Sequence, residues 1–155
     1  MEHRILQIQP QFQKGEKWMQ LAESCQLRFE CIELSMPSFL DHAELTEEAK
    51  SWYKNSERVT SVHGCFMDVN PGSGDETFRI LSMERCRESC QIAMALGARF
   101  VVLHASAFPF LRGGYLGVWA DRCVKFYTEL VEEYDLMLCI ENSFDLDPEP
   151  LRVLM

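Results

Sequence analysis

Five short apolar stretches recur along this chain, and between them lie longer segments whose apolar residues fall three and four apart. The stretches are RILQI (4–8), FECIEL (29–34), RVTSVHG (58–64), FVVLHA (100–105) and LMLCIE (136–141). Strands that alternate with helices pair in parallel through right-handed crossovers. That order excludes all-helical bundles and antiparallel sandwiches, and leaves an open doubly wound sheet or a barrel. The loop after the first stretch, QPQFQKG, lacks the glycine fingerprint GxGxxG, which argues against the dinucleotide-binding form of the open sheet.

The spacing predicts helices over 14–27, 43–56, 78–96 and 117–134. In the third, Ile80, Leu81, Met83, Cys90, Ala93, Met94 and Leu96 read as the apolar stripe, with Asp75 as N-cap and Gly97 as the C-terminal stop. In the last, the apolar set is Val118, Cys123, Val124, Phe126, Tyr127, Leu130 and Val131. A further helix opens at Asp147-Pro148-Glu149-Pro150, a capping residue followed by proline. The loops NPGSG (70–74) and RGGYLG (112–117) read as turns, although their backbone N–H groups could also meet a phosphate. No boundary or repeat interrupts the pattern, so residues 1–155 read as a single domain.

The chain has 155 residues and a net charge of −9, with no basic run. Nucleic-acid binding rests on neutralising phosphates, so no nucleic-acid partner is expected. No apolar run is long enough for a membrane span, and the N-terminus has no secretory h-region. The seven cysteines form no CxxC pair; Cys86 and Cys90, four apart on a helix, do not make a zinc site alone. Reduced thiols in a cytoplasmic protein are the simplest reading.

Side chains alternate faces along a strand. Val101 and Leu103 oppose Val102 and His104; Leu136, Leu138 and Ile140 oppose Met137, Cys139 and Glu141; Ile32 and Leu34 oppose Cys31 and Glu33; Val59, Ser61 and His63 share one face. The aliphatic faces suit helix packing. The other faces each carry an ionisable residue at or near the C-terminal end: Glu33, His63, His104 and Glu141. Parallel strands place these ends on one rim, where α/β enzymes build their sites. Two histidines with carboxylates there form a ligand set for a divalent cation.

The stretches SVHGCFMDVNPGS, ALGARFVVLHASAF and CIENSFDLDPEPL resemble the sugar phosphate isomerase/epimerase group of the xylose isomerase-like TIM-barrel superfamily, which also includes apurinic endonucleases. The resemblance implies the first half of a (β/α)₈ barrel, truncated after the fifth strand, with a divalent metal ion (Mn, Mg, Co or Zn) at the C-terminal rim. It implies that Glu141 is a metal ligand and one of two acid/base carboxylates. His63 and His104 match metal ligands of the endonuclease branch and substrate contacts of the sugar-processing branches. Glu33 and Asn142 become rim residues that orient ligands or sugar hydroxyls, and Phe66, Met67 and Phe108 candidates for the sugar's apolar face. The implied activity is isomerisation or epimerisation of a sugar or sugar phosphate through an enediolate. An endonuclease-like zinc phosphodiesterase and a non-catalytic half-barrel that binds or assembles are the alternatives. The superfamily's remaining ligands, an Asp, a His and a Glu from strands six to eight, have no counterpart within these 155 residues. A homo-oligomer or a complementing chain is therefore an expected partner.

Overall fold

A computed structural model describes residues 5–8, 30–36, 47–142 and 146–155 of the chain. Five parallel strands form one sheet in sequence order: β1 Ile5–Ile8, β2 Cys31–Ser35, β3 Val59–His63, β4 Phe100–His104 and β5 Met137–Glu141. The helices described are α1 Glu47–Ser56, α2 Glu76–Leu96, α3 Gly113–Tyr134 and α4 Glu149–Leu154. Neighbouring strands in sequence are neighbours in the sheet, which is the winding of a partial (β/α)₈ barrel and not the reversed order of a doubly wound sheet. The helix expected over 14–27 and the start of the one expected at Ala43 lie outside the described residues.

One face of the sheet is apolar and dry. Ile32, Leu34, Val62, Val101 and Leu103 are at most 1% exposed, and the helices cover them. Burying each such side chain contributes roughly 1.5–3 kcal/mol, so this face holds the layers together. The opposite face carries Glu33, Ser61, His63, Val102, His104, Cys139 and Glu141. The alternation read from the sequence is thus the alternation observed.

Helix α2 differs from expectation in which side it buries. Ile80, Leu81 and Met94 are about half exposed, at 49%, 48% and 51%. The buried side is Ser82, Cys86, Ser89, Cys90, Ala93 and Leu96. The serines tolerate burial because their hydroxyls donate to their own helix, Ser82 to Phe78 O at 2.7 Å and Ser89 to Arg85 O at 3.0 Å. Each also accepts a backbone N–H from the β3–α2 loop: Asn70 N on Ser82 Oγ at 2.9 Å, Cys65 N on Ser89 Oγ at 3.3 Å. Small side chains bring the helix close to the strand ends, and their oxygens satisfy loop donors that burial would otherwise leave unpaired. The ends of α2 are as expected: Asp75 Oδ1 accepts Phe78 N at 2.8 Å, and Gly97 takes the left-handed conformation, φ 74°.

Helix α3 begins four residues before the sequence reading placed it, so Gly113 and Gly114 form its first turn and RGGYLG is not a turn loop. Its buried face is Leu116, Trp119, Ala120, Cys123, Phe126, Tyr127 and Leu130, while Val118, Val124 and Val131 are substantially exposed. Beside β5, at one edge of the described sheet, runs a groove of ≈ 570 Å³ lined by Val124, Val131, Leu138, Ile140 and Leu154 among others. No described helix is long and apolar enough to cross a membrane.

The NPGSG segment is a turn packed tightly on α3. Asn70 Oδ1 accepts Gly72 N and Trp119 Nε1, both at 3.1 Å. A Cβ on Gly72 would stand 2.3 Å from Trp119 Cδ1 and 2.7 Å from Cys123 Sγ. Overpacking of this kind costs about 1–3 kcal/mol, and urea unfolding of Gly72→Ala is expected to show that loss without a change in m-value. Six described cysteines are free thiols. Burial pushes Cys90 up to about 11 and Cys123 up to about 12, and Cys86 higher still. A thiol whose folded pKa is raised stabilises the fold below its unfolded value, near 9, and loses that contribution as pH rises towards the folded value. Unfolding free energy should therefore fall steadily above about pH 9, measured by urea titration in reducing buffer; a flat profile between pH 8 and 11 would contradict the burial of these thiols.

Candidate metal centre

Three of the four ionisable residues assigned to the rim meet. The parallel ladder sets their heights: His104 is level with Glu141, and His63 is level with Val102, one inward-facing position lower on β4. The ladder continues past the strand ends, with Gly64 N on Val102 O at 2.8 Å, Ala105 N on Glu141 O at 3.1 Å and Met36 N on His63 O at 2.7 Å. His63 Nε2 lies 3.2 Å from Glu141 Oε2 and 3.1 Å from His104 Nε2, and His104 Nε2 lies 3.5 Å from Glu141 Oε2. Among the described residues, these three form the one group whose donor atoms converge as metal ligands do, all within 4.8 Å of one another.

Glu33 is not part of that group. The β2–β3 register shifts between Ile32 and Glu33, so Glu33 pairs with Ser61 while Ser35 pairs with His63. Ser61 Oγ donates to Glu33 Oε2 at 2.7 Å, holding the carboxylate one row beneath His63 on the same face. The expectation of four groups on one rim is corrected to three groups with a carboxylate below them. Asn142 follows Glu141 directly and is exposed, as is Glu141.

Proton positions in the trio follow from its neighbours. His63 Nδ1 is 3.1 Å from Gly64 O, and a carbonyl only accepts, so Nδ1 carries a proton and donates it. In the neutral ring this leaves Nε2 with a lone pair facing His104 and Glu141. Burial lowers the His104 pKa below the ordinary histidine value; proximity to His63 lowers it further and Glu141 opposes both. A neutral His104 brings at most one proton on Nε2, and a carboxylate brings none. At most one proton thus lies among three atoms that face a common point, a donor-poor arrangement that a cation would suit. The carbonyl bond at Nδ1 also fixes ring orientation, as partners of metal-binding histidines commonly do.

The surroundings hold the imidazoles rigidly. Phe66 stacks on His104, with ring centroids 4.7 Å apart and planes at 17°, and meets His63 edge-on at 5.3 Å. It thus touches both imidazoles from the loop that follows β3. Tyr127 Oη donates to His104 O at 3.3 Å from the buried face of α3. Gly64 is required by crowding, since a Cβ there would stand 2.5 Å from Leu103 Cδ2 and 2.9 Å from Ser89 Oγ. Phe108 and Phe110 in the β4–α3 loop are exposed and meet edge to face at 5.8 Å. The sequence carries no signal for the supporting roles of Ser89, Tyr127 and Gly64, which depend on packing between separate elements.

No family model matches the chain. It is 32% identical over 84 residues to uncharacterized protein MJ1311 of Methanocaldococcus jannaschii, a match covering 52% of this chain and 29% of that protein. Among solved structures it resembles a D-tagatose 3-epimerase-like protein, with TM-score 0.73 and 19% identity over 98% of this chain and 60% of the other. It resembles the TTHB071 protein of Thermus thermophilus, solved after soaking with ZnCl₂, with TM-score 0.71 and 21% identity over 97% and 60%. Endonuclease IV of the same organism gives TM-score 0.64 and 15% identity over 91% and 52%. The chain therefore spans about 60% or less of the length of these relatives. These likenesses show the fold, a partial (β/α)₈ barrel.

The trio makes a direct prediction. Titration of the metal-stripped chain with Zn²⁺ or Mn²⁺ should show one site. His63→Ala, His104→Ala and Glu141→Gln should each weaken it by at least the roughly tenfold typical of losing an outer-shell partner. Glu33→Gln should leave it within about twofold, since Glu33 is held by Ser61; equal losses for all four would place the ion elsewhere.

Proposed function

We propose that this chain carries the metal-gathering part of a divalent-cation-dependent sugar or sugar-phosphate isomerase or epimerase. The observation that carries this reading is the approach of Glu141 Oε2 to both imidazole Nε2 atoms at the C-terminal rim. The barrel fold shared with a D-tagatose 3-epimerase-like protein supports it. His63, His104 and Glu141 would hold the ion, three protein donors among the described residues. Catalytic sites commonly keep such a position open for substrate. Further donors would come from polypeptide beyond these strands or from a second chain pairing along β5.

When bound, the cation would polarise the substrate carbonyl and stabilise the enediolate charge. Within the chain, Glu141 is the carboxylate placed to take a proton from the carbon beside that carbonyl. Its side chain is 45% exposed, so it can meet a substrate entering from solvent, whereas His63 and His104 are nearly buried. Those imidazoles orient Glu141 and fix the ion. Glu33, Asn142 and the Phe108 loop are assigned to hydroxyl and ring contacts of the sugar. A cytoplasmic location suits a reducing environment for the free thiols.

A second reading, a zinc phosphodiesterase acting on abasic sites, is favoured by one observation. Both histidines direct Nε2 at the common point, and the sequence resemblance matches them to metal ligands in the endonuclease branch and to substrate contacts in the sugar-processing branches. The −9 charge opposes it. One experiment separates the two. The full chain, loaded with Mn²⁺ or Zn²⁺, is incubated with ketoses and their phosphates in D₂O and, separately, with an oligonucleotide bearing an abasic site. Deuterium incorporation beside the carbonyl, reduced by at least about a hundredfold in Glu141→Gln, supports the isomerase. Metal-dependent cleavage of the oligonucleotide without exchange supports the phosphodiesterase. Absence of both activities in a metal-loaded chain supports a binding module.

A further inference from the structure

Two arginines from different helices converge on one carbonyl oxygen. Arg79 Nη1, from the first turns of α2, lies 2.9 Å from Ser73 O. Arg122 Nη1, from α3, lies 3.0 Å from the same atom. Both side chains are half-buried. Among the described residues neither has a carboxylate within ion-pairing distance, in a chain with 24 acidic residues against 15 basic ones. By contrast, Arg85, Arg87, Arg112 and Arg152 all have acidic partners. The nearest acids in sequence are otherwise disposed: Asp75 caps α2 through Phe78 N, and Glu76 and Asp121 are exposed.

A single carbonyl occupies only one donor on each guanidinium, and each guanidinium has five. Two like charges gathered at one neutral oxygen repel each other unless an anion joins them. The carbonyl itself is held firmly, because Asn70 and Trp119 fix the turn and Gly72 is wedged against α3. Space lies beside it: a Cβ on Gly74 would meet nothing within 4 Å. The guanidinium fork matches phosphate oxygens in planarity and spacing.

We propose that Arg79 and Arg122, together with the open side of the Ser73–Gly74 turn, form a binding site for a phosphate monoester or free phosphate, separate from the metal centre. The site is small, with two cations on an acidic chain, which suits a small phosphorylated molecule and not a nucleic-acid backbone. It does not depend on the trio of His63, His104 and Glu141, so its test uses chain stripped of metal.

Isothermal titration of the full chain in EDTA at low ionic strength uses inorganic phosphate, fructose 6-phosphate and unphosphorylated fructose as probes. Saturable one-to-one binding of either phosphate, with none of fructose, is expected. Arg79→Gln and Arg122→Gln should each weaken binding by at least about tenfold. Lys125→Gln, which removes an exposed cation on the same helix, should leave it unchanged. Tighter binding of fructose 6-phosphate assigns the site to the esterified group, and equal binding assigns it to phosphate alone; either supports the site. Circular dichroism checks folding. If a glutamine variant unfolds, Arg79→Lys and Arg122→Lys keep the charge but lose the fork, and should weaken binding several-fold. No saturable phosphate binding by the folded chain, or equal loss in Lys125→Gln, overturns the proposal and leaves the pair as a clamp on the turn.

Discussion

The parallel hydrogen-bond ladder linking β3, β4 and β5 is the constraint on which the rest depends. It pairs His104 with Glu141 and sets His63 against Val102. Strand-end side chains project from a backbone whose height is fixed to within a fraction of a residue rise, about 3.3 Å. A shift by one residue on any of the three would turn its ionisable group to the helix-covered face. The donor atoms would then be buried in hydrocarbon without partners. The ladder extends one residue beyond β3 and β4, through Gly64 and Ala105, and this carries the rigidity of the sheet into the rim.

Helices α2 and α3 secure that rim with polar atoms on otherwise apolar faces. Ser82 and Ser89 receive N–H groups from the β3–α2 loop; Trp119 and Tyr127 reach Asn70 and the carbonyl of His104. These groups are buried, so losing any one of them would strand a partner in a place that water cannot reach. The apolar contacts hold the layers together, while these few hydrogen bonds decide where the loops sit. The two rim loops also hold non-glycine residues in the left-handed region, Asp68 at φ 53° and Ser106 at φ 54°. Such conformations persist only where surrounding contacts impose them.

The neighbourhood of the trio suits a cation for reasons internal to this chain. The Gly64 carbonyl claims the proton on His63 Nδ1, burial disfavours charge on His104, and Glu141 brings negative charge. Each effect is modest alone. Together they bring two imidazole nitrogens and a carboxylate oxygen within 3.5 Å of one another with at most one proton among them. The same balance explains why one carboxylate in the trio and another a row lower have different surroundings. Glu141 is open to solvent and to the imidazoles, while Glu33 is engaged by the Ser61 hydroxyl.

Local pattern in the chain determined the alternation of strand and helix, the parallel sheet, the face of each strand that packs and the residues at the C-terminal ends of β3, β4 and β5. These follow from side-chain periodicity and need no knowledge of what lies across the sheet. Tertiary structure alone decided the remainder. The pairing of Ser35 with His63 leaves Glu33, two residues earlier on β2, opposite Ser61 and below the rim, because register is a property of two strands and not of one. The buried side of α2 turned out to be serines, cysteines, an alanine and Leu96, while Ile80, Leu81 and Met94 face outwards, because which side of a helix is covered depends on what packs against it. Arg79 and Arg122 lie 43 positions apart in the sequence and meet at Ser73 only because α2 and α3 pack side by side above the same turn.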